Sequence, residues 1–175
     1  MIESGEEIAP AHQVAALCYR TTPRLEILLV TSRETRRWVT PKGWPMKDRA
    51  DPDAAAREAF EEAGVEGAVA REPFGAFGYD KTLKSGLSKP VLAALYPLKV
   101  EIEHSDWPER KQRARIWYTV EEAAAAVREE DLSALILSFG AGYLRETSVK
   151  AGLVRAVRRL FGGDMASAFE TKLAR

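Results

Sequence analysis

The sequence predicts an α+β protein built on a mixed β-sheet flanked by helices. Aliphatic runs typical of strands lie on both sides of one strongly amphipathic segment, residues 51–64, and more segments with helical patterning follow the last strand. This order of strands, helix, strands and helices favours a mixed sheet with helices packed on it. The composition agrees, because 46% hydrophobic and 30% charged residues are typical of a globular domain.

The individual elements are predicted by aliphatic and aromatic runs that turn residues separate. Asp51 is expected to cap the central helix, with Pro52 in its first turn and Gly64 at its end. A tight loop is expected over 42–45, directly after Pro41. The predicted strands cover 13–19, 25–31, 38–40, 68–69, 74–79, 90–100 and 115–120, and the later predicted helices cover 121–128 and 131–139.

The central helix carries the most chemical information in the chain. Arg57, Glu58, Glu61 and Glu62 stand at spacings of one, three and four, which gathers them on one helix face. Three crowded carboxylates repel one another unless a cation joins them. Because the donors are oxygen atoms, a hard divalent cation, Mg²⁺ or Mn²⁺, is expected there. The opposite face is mostly small and is expected to press on the sheet through Ala55, Ala56, Ala59, Phe60 and Ala63.

This pattern resembles the signature of the Nudix hydrolases, in which glycine, Arg-Glu, Glu-Glu and a second glycine recur at fixed intervals. Two positions depart from it: Ala59 is small where a bulky aliphatic residue is usual, and Arg49 stands where the family usually has Glu. The matching residues are Gly43, Arg57, Glu58, Glu61, Glu62, Gly64 and Val65.

The resemblance implies an α/β/α sandwich over residues 10–143 and hydrolysis of a nucleoside diphosphate linked to another group. It implies that Glu58, Glu61 and Glu62 are metal ligands, joined by the carbonyl oxygen of Gly43. Arg57 would orient a glutamate through a bidentate ion pair. The general base stays open between the signature glutamates and an acid of a later loop, where Glu101, Glu103, Asp106 and Glu109 are available.

Arg49 leaves the number of metal ions open. A cation at this position is expected to repel a neighbouring Mg²⁺ by about 1 kcal/mol or more at short range. Either fewer metal ions bind, or a nearby carboxylate of Asp48, Asp51 or Asp53 replaces the missing Glu.

Arginines beside aromatic residues predict the class of substrate. Their planar guanidinium groups suit phosphate oxygens, several at once for a polyphosphate. The segment from Trp107 to Tyr118 is similar to that of the diphosphoinositol polyphosphate and diadenosine polyphosphate hydrolases, although Gln13 stands where that branch has a basic residue. The alternative, that these cations are solvated or pair with acids of the chain, stays open. The predicted binders of a phosphorylated small molecule are Arg33, Arg37, Lys42, Arg113 and Arg115.

Two other functions remain open at this level. An ADP-ribose or nucleotide-sugar pyrophosphatase would use the same signature. A noncatalytic Nudix-fold sensor of a phosphorylated ligand is conceivable because of Arg49. Trp38, Trp44 and Phe77 are candidates to stack on a base or to pack in the core.

Charge and cysteine content bound the remaining possibilities. The formal net charge is zero, so no nucleic-acid partner is expected. Cys18 is the single cysteine and stands in an apolar run, which predicts a buried thiol without a disulfide. Since no apolar segment is long enough to cross a membrane, a cytoplasmic protein is expected.

Residues 144–175 are predicted to form a basic amphipathic helical extension. Arg155, Arg158 and Arg159 lie opposite its apolar positions, and Gly162–Gly163 interrupts it before a weaker helical segment over 165–173. Such a helix can dock on its own domain, on a second subunit of a homodimer, on another partner or on a membrane surface. The apolar positions are Leu153, Val154, Val157, Leu160 and Phe161.

Overall fold

A single mixed β-sheet organises the fold. The computed structural model describes residues 9–82, 86–161 and 163–173. Within these residues eight strands belong to one sheet, which confirms the predicted fold class. The strands are β1 (Ala11–Arg20), β2 (Glu26–Thr31), β3 (Trp38–Val39), β4 (Lys42–Gly43), β5 (Val65–Val69), β6 (Gly75–Thr82), β7 (Ser88–Glu103) and β8 (Arg115–Thr119).

The centre of the sheet is a parallel pair. β1 runs beside β7 from Ala11 opposite Val91 to Tyr19 opposite Lys99. The main strand order is β3-β2-β1-β7-β5, while β4 pairs with β1, β6 with β7 and β8 with β2. All these other pairings are antiparallel. The parallel pair needs a long connection between its strands, and the signature helix lies within that connection.

The signature helix changes its winding halfway along. It is α-helical over α1 (Asp51–Glu58) and continues as a π-helical turn over Ala59–Ala63. It ends at Gly64, whose φ of 65° lies in the left-handed region that glycine adopts without strain. Its wider π turn places the carbonyl groups of the last residues outside the regular α-helical pattern.

The predicted N-cap at Asp51 is wrong. Ala50 occupies the cap position without a side-chain hydrogen bond, and Asp51 is already the first helical residue. Asp51 instead approaches the ring of His12, with Oδ2 2.8 Å from Nε2. Asp51 and Asp53 make the first turn acidic, which complements the positive end of the helix dipole.

The alanines of the signature helix allow it to pack closely on the sheet. Ala54, Ala55, Ala59 and Ala63 are fully buried. They pack in one core with alternate residues of the two inner strands, including Cys18, whose thiol pKa is raised by burial. The core on this face also contains Val14, Ala16, Leu28, Val30, Tyr96 and Leu98.

The intervening strand residues face the other side of the sheet, where further helices lie. Ala15, Leu17 and Leu29 are fully buried there. Helix α2 (Val120–Ala126) begins at a capping box formed by Thr119 and Glu122. Helix α3 (Glu130–Phe161) follows, and its Leu135 lies over Gly75 of β6.

Two predicted elements differ from the structure. Residues 42–43 form the short strand β4 rather than a tight loop, since Val14 pairs with Gly43 and Ala15 with Lys42. The helix predicted over 131–139 extends over the 32 residues of α3. Beyond residue 139 the helix carries large apolar side chains that are between 46% and 69% exposed, namely Leu144, Val149, Leu153 and Leu160.

Residues from Ser138 onward form a second compact unit, which we describe by itself. It contains the later part of α3 and helix α4 (Gly163–Leu173), whose Ala166 is fully buried. Gly162 and the side chain of Phe161 lie outside the described part of the structure. Among the helices that the structure describes, none combines the length and apolar character needed to span a bilayer.

Candidate active site

A cavity of about 430 Å³ lies over the acidic face of the signature helix. Its walls come from six parts of the chain: Gln13 of β1, the loop after β2, the segment around β4, the signature helix, the end of β6 and the loop before β8. Five cationic side chains line it, namely Arg33, Arg37, Lys42, Lys81 and Arg113. Six acidic side chains line it, namely Glu34, Glu58, Glu61, Glu62, Asp80 and Glu109.

Glu58 is packed against the backbone of Gly43. A Cβ atom built on Gly43 would overlap the Glu58 carboxylate, so only glycine allows this approach. Burial raises the pKa of Glu58, and the neighbouring negative charges of Glu61 and Glu109 raise it further. A cation close to Glu58 would therefore stabilise the ionised form of its carboxylate.

Glu62 is the most deeply buried of the signature carboxylates. The residue is 6% exposed. It pairs with the guanidinium of Arg113, and the backbone N–H of Lys42 donates to its Oε2 at 3.2 Å. Burial raises the pKa of Glu62 to about 7 although the charge of Arg113 lowers it. Desolvation likewise lowers the pKa of the nearby Lys42 to about 8.

Glu61 is held in place by Arg57, a residue of the same helix. Arg57 Nε donates to Glu61 Oε1 at 2.6 Å. This single hydrogen bond takes the place of the bidentate pair that was expected. The guanidinium also lies over the ring of Phe60, with 5.5 Å between Cζ and the ring centroid.

The donor chemistry of these residues fits a hard divalent cation, but their present arrangement is not a finished metal site. Among the described residues, no three His, Cys, Asp or Glu side chains are already gathered as a metal-binding group. Glu61 and Glu62 each pair with an arginine, which neutralises part of their charge. The carboxylates nevertheless offer only oxygen ligands. Burial, and to a smaller extent the charges of Glu61 and Glu109, raise the pKa of Glu58, so a nearby cation would stabilise its ionised form.

The loop between β7 and β8 is anchored on the end of the signature helix. The backbone N–H of Glu109 donates to the carbonyl of Glu61 at 3.0 Å, and that of His104 donates to Gly64 at 2.8 Å. The Trp107 indole N–H donates to the carbonyl of Glu62 at 3.2 Å. These bonds place the Glu109 carboxylate in the cavity beside Glu58.

The comparisons with known proteins agree with this geometry. The NUDIX domain family matches residues 11–137. The chain belongs to the Nudix family. This membership confirms the resemblance predicted from the spacing of Gly43, Arg57 and the signature glutamates.

Several curated relatives are Nudix hydrolases. The chain is 39% identical over 110 residues to the Arabidopsis thaliana protein called Nudix hydrolase 12, mitochondrial, covering 61% of this chain and 54% of that protein. It is 36% identical over 115 residues to diphosphoinositol polyphosphate phosphohydrolase 3-alpha of Mus musculus, covering 63% of this chain and 65% of that protein. The chain thus spans less than two thirds of the length of either relative.

A solved structure shows the same fold at low sequence identity. The crystal structure of the C. elegans Ap4A hydrolase superposes with a TM-score of 0.54 at 21% identity, covering 77% of this chain and 98% of that chain.

The structure separates the arginines around the Nudix signature into two groups. Arg115 donates to the carbonyl oxygens of Ala63 at 2.5 Å, Gly64 at 3.2 Å and His104 at 2.9 Å. Its guanidinium also covers the Trp107 ring at 4.1 Å, and it is not among the residues that line the cavity. This geometry favours a structural role for Arg115, which satisfies the carbonyls exposed by the π turn, over the predicted contact with substrate.

The other predicted binders do reach the cavity. Arg33 is the most open, with a side chain 59% exposed and 3.5 Å from Glu109. Arg37 pairs with Glu129, whose second carboxylate oxygen is buried without a hydrogen bond. Lys42 lies on β4 and its ammonium group is 5.1 Å from the centroid of the Tyr79 ring.

The structure also separates the four candidate acids of later segments. Glu109 lines the cavity, whereas Glu101, Glu103 and Asp106 do not. Glu103 instead pairs with Arg20 at 3.2 Å and accepts from the Trp117 indole.

Arg49 is exposed and is not among the residues that line the cavity. It lines a separate depression with Asp53, Arg57 and Phe60, and none of Asp48, Asp51 and Asp53 lines the cavity. Asp53 accepts two hydrogen bonds from Arg71, at 2.6 and 3.3 Å. The nearby aspartates are thus not positioned to replace the missing Glu.

Sequence reasoning missed several residues of the cavity. Tyr79 donates its hydroxyl proton to Gln13, and Lys81 lies over the ring of Trp44. Tyr79 and Lys81 are two residues apart on β6, so they share a face of the strand. That alternation was the available signal, but the sequence does not reveal which face meets the signature helix.

Proposed function

We propose that this Nudix domain is a hydrolase that cleaves a phosphoanhydride bond in a dinucleoside polyphosphate or a diphosphoinositol polyphosphate, with Mg²⁺ or Mn²⁺ as cofactor. The observation that carries the proposal is the shared cavity, in which the signature carboxylates face cationic side chains. Carboxylates can hold a metal ion, while arginine and lysine can hold phosphate oxygens.

The residues divide the work by their chemistry. Glu58, Glu61 and Glu62, with the Gly43 carbonyl, would hold the divalent cation, and Arg57 keeps Glu61 in place. A bound divalent cation neutralises phosphate charge and lowers the pKa of water. Glu109 is the proposed general base, because it is the later-loop acid that lines the cavity.

Phosphate binding is assigned to the cations of the cavity. Arg33 has the freest side chain and is the proposed primary contact, supported by Arg37 and Lys42. Arg113 contributes its charge from a buried position. The names of a relative, diphosphoinositol polyphosphate phosphohydrolase 3-alpha, and of a protein with a similar fold, an Ap4A hydrolase, support a polyphosphate substrate.

Two alternatives stay distinct from this proposal. An ADP-ribose or nucleotide-sugar pyrophosphatase would need fewer phosphate contacts, and the pairing of Arg37 and Arg113 with glutamates is compatible with that. A noncatalytic sensor would bind the ligand without turnover. The signature carboxylates in the cavity favour the enzyme.

A substrate panel tests the proposal. Diadenosine tetraphosphate, a diphosphoinositol pentakisphosphate, ADP-ribose and a nucleotide sugar are incubated with Mg²⁺, and the released products are quantified. The expected result is turnover of a polyphosphate that Glu61→Gln reduces by orders of magnitude and the exposed Glu121→Gln leaves unchanged. Binding without turnover would support the sensor, and preference for ADP-ribose would support the other enzyme.

A homodimer through the extension belongs to the same proposal. Val149, Leu153 and Leu160 are 69%, 46% and 69% exposed and recur at the four- and seven-residue spacing of a helical seam. Light scattering should give the mass of a dimer, and Leu153→Glu with Leu160→Glu should give a monomer, while Arg155→Glu should not. A monomeric native chain would contradict it.

The cellular location of the protein is also a proposal. A cytoplasmic location, as the sequence predicts, is to be weighed against the names of the Arabidopsis thaliana relatives, which include the word mitochondrial. Fractionation of the source cells decides between the two. No nucleic-acid partner is proposed, because the formal net charge is zero.

A further inference from the structure

Trp44 presents a large aromatic surface to the cavity. It follows Gly43 directly in the chain, lines the cavity and is 44% exposed. Nearly half of the surface of Trp44 is therefore open to solvent, and exposed aromatic surface inside a cavity is typical of ligand contact. Its position beside Gly43 places it next to the signature carboxylate Glu58.

The other aromatic candidates are already engaged. Phe77 is 1% exposed in the core, and Trp38 packs edge-on against Tyr118 at 5.5 Å between ring centroids. Tyr79 lines the cavity, but its hydroxyl binds Gln13 and Lys42 lies near its ring. Trp44 is therefore the aromatic side chain whose ring surface is best placed for a ligand.

A flexible cation, Lys81, lies over one face of the Trp44 ring. Lys81 Nζ lies 4.7 Å from the ring centroid. An exposed cation–π contact is weak, and the long lysine chain can move to a phosphate without disturbing the backbone. A planar base can then stack on the face of the indole that Lys81 leaves, while Lys81 stays close to the phosphates.

The charge of the cavity also favours a nucleotide over a diphosphoinositol polyphosphate. Five cationic side chains face six acidic ones, which leaves a formal net charge of −1. A diphosphoinositol polyphosphate carries phosphate monoesters around its ring, each with about −1.5 to −2 charges at neutral pH. Most of these would have no free cation here, because Arg37 and Arg113 are paired with glutamates. A nucleotide concentrates its negative charge in one phosphate chain and leaves its base uncharged.

We propose that Trp44 is a stacking platform for a nucleobase and that it selects a dinucleoside polyphosphate over a diphosphoinositol polyphosphate. This inference rests on the proposed function, because it refines the substrate of the same cavity. Aromatic side chains bind bases with little sequence preference, so the platform is expected to accept purines in general.

The test separates base binding from phosphate binding. Affinities are measured by calorimetry, in Mg²⁺, for the nonhydrolysable adenosine 5′-(β,γ-methylene)triphosphate and for inorganic tripolyphosphate, which lacks a base. Trp44→Ala should weaken binding of the nucleotide by on the order of tenfold and leave tripolyphosphate unchanged. Trp44→Phe keeps an aromatic ring and should retain most of the nucleotide affinity. Inositol hexakisphosphate should bind the native protein more weakly than the nucleotide.

Several results would overturn the inference. These are an equal loss for both ligands in Trp44→Ala, no loss for the nucleotide, or tighter binding of inositol hexakisphosphate. Circular dichroism of each variant shows whether the fold is intact, and Trp44→Phe provides the folded comparison if Trp44→Ala is destabilised. Because the test measures binding alone, an absence of turnover in the substrate panel would contradict the proposed function without deciding this point.

Discussion

Arg113 and Glu62 form a buried ion pair within the cavity, with side chains that are 7% and 8% exposed. Arg113 also donates from Nε to Glu109 and from Nη1 to the carbonyl of Thr31, the latter at 2.9 Å. Each of the three guanidinium nitrogens of Arg113 thus donates a hydrogen bond to another group of the protein. One signature carboxylate is held in place by the loop that also carries the proposed base, Glu109.

Removing Arg113 is expected to affect folding more than phosphate preference. Arg113→Ala leaves Glu62 without its partner in a buried site, where breaking an ion pair costs about 3–5 kcal/mol. The free energy of unfolding, measured by urea denaturation without added metal, should fall by about that amount.

A double-mutant cycle provides the control for this pair. Glu62→Gln removes the buried charge, so Arg113→Ala should be less damaging in that background. Equal losses in both backgrounds would show that Arg113 acts through Glu109 or Thr31 and not through Glu62.

Arg115 and Arg33 are expected to behave in opposite ways. Arg115→Ala removes the donor to the carbonyls of Ala63, Gly64 and His104, and should lower the free energy of unfolding by about 1.5–3 kcal/mol. Arg33→Ala removes an exposed side chain and should change stability by less than about 0.5 kcal/mol.

The effects on KM for phosphate-rich substrates should follow the opposite order, with a larger effect in Arg33→Ala than in Arg115→Ala. Arg33→Ala should raise KM for diadenosine tetraphosphate by on the order of tenfold, with less effect on ADP-ribose. Steady-state kinetics on both substrates check this. If KM does not move in Arg33→Ala and rises in a folded Arg115→Ala, the assignment of the two arginines is reversed.

The contrast between Arg33 and Arg115 shows where sequence reasoning was sufficient and where it stopped. Helical periodicity placed Arg57, Glu58, Glu61 and Glu62 on one face, and aliphatic runs located the main strands. Both signals are local, because a few backbone angles determine which side chains share a face.

The partners of the arginines could not be predicted by the same means. Arg115 and the carbonyls of Ala63 and Gly64 are about fifty positions apart, with separations of 52 and 51 residues. Their contact depends on the π turn at Ala59–Ala63, which regular helical periodicity does not predict. The arginines beside tryptophan in the sequence predicted that Arg115 contacts phosphate. In the structure Arg115 instead donates hydrogen bonds to backbone carbonyls.

Arg49 illustrates the same limit for a motif departure. The sequence predicts that a cation at this position weakens a nearby metal site, but the structure places Arg49 in a separate depression with Asp53 and Phe60. We therefore expect Arg49→Glu to leave the Mg²⁺ concentration at half-maximal activity unchanged within about twofold, because an exposed charge outside the cavity is screened by solvent and salt. A metal titration of initial rates checks this. A marked shift to lower Mg²⁺ would mean that the position 49 side chain reaches the metal when substrate is bound.

Gly43 provides the sharpest test of the carboxylate geometry. A Cβ atom on Gly43 would overlap the carboxylate of Glu58, so Gly43→Ala must displace that side chain or move β4. Turnover of the best substrate should fall by on the order of 100-fold, because misplacing a group at a reacting centre by about 1 Å can cost this much. Initial rates at saturating substrate and Mg²⁺ give the measurement.

The matched control for Gly43→Ala is Gly142→Ala in α3. A Cβ atom on Gly142 meets nothing within 4 Å, so the substitution should leave turnover unchanged and stabilise the helix by up to about 1 kcal/mol. If Gly43→Ala keeps native turnover while Gly142→Ala behaves as expected, close approach of Glu58 to residue 43 is not needed for catalysis. Glu58 would then no longer be assigned as a metal ligand held against residue 43, while Glu61 and Glu62 would remain assigned as metal ligands.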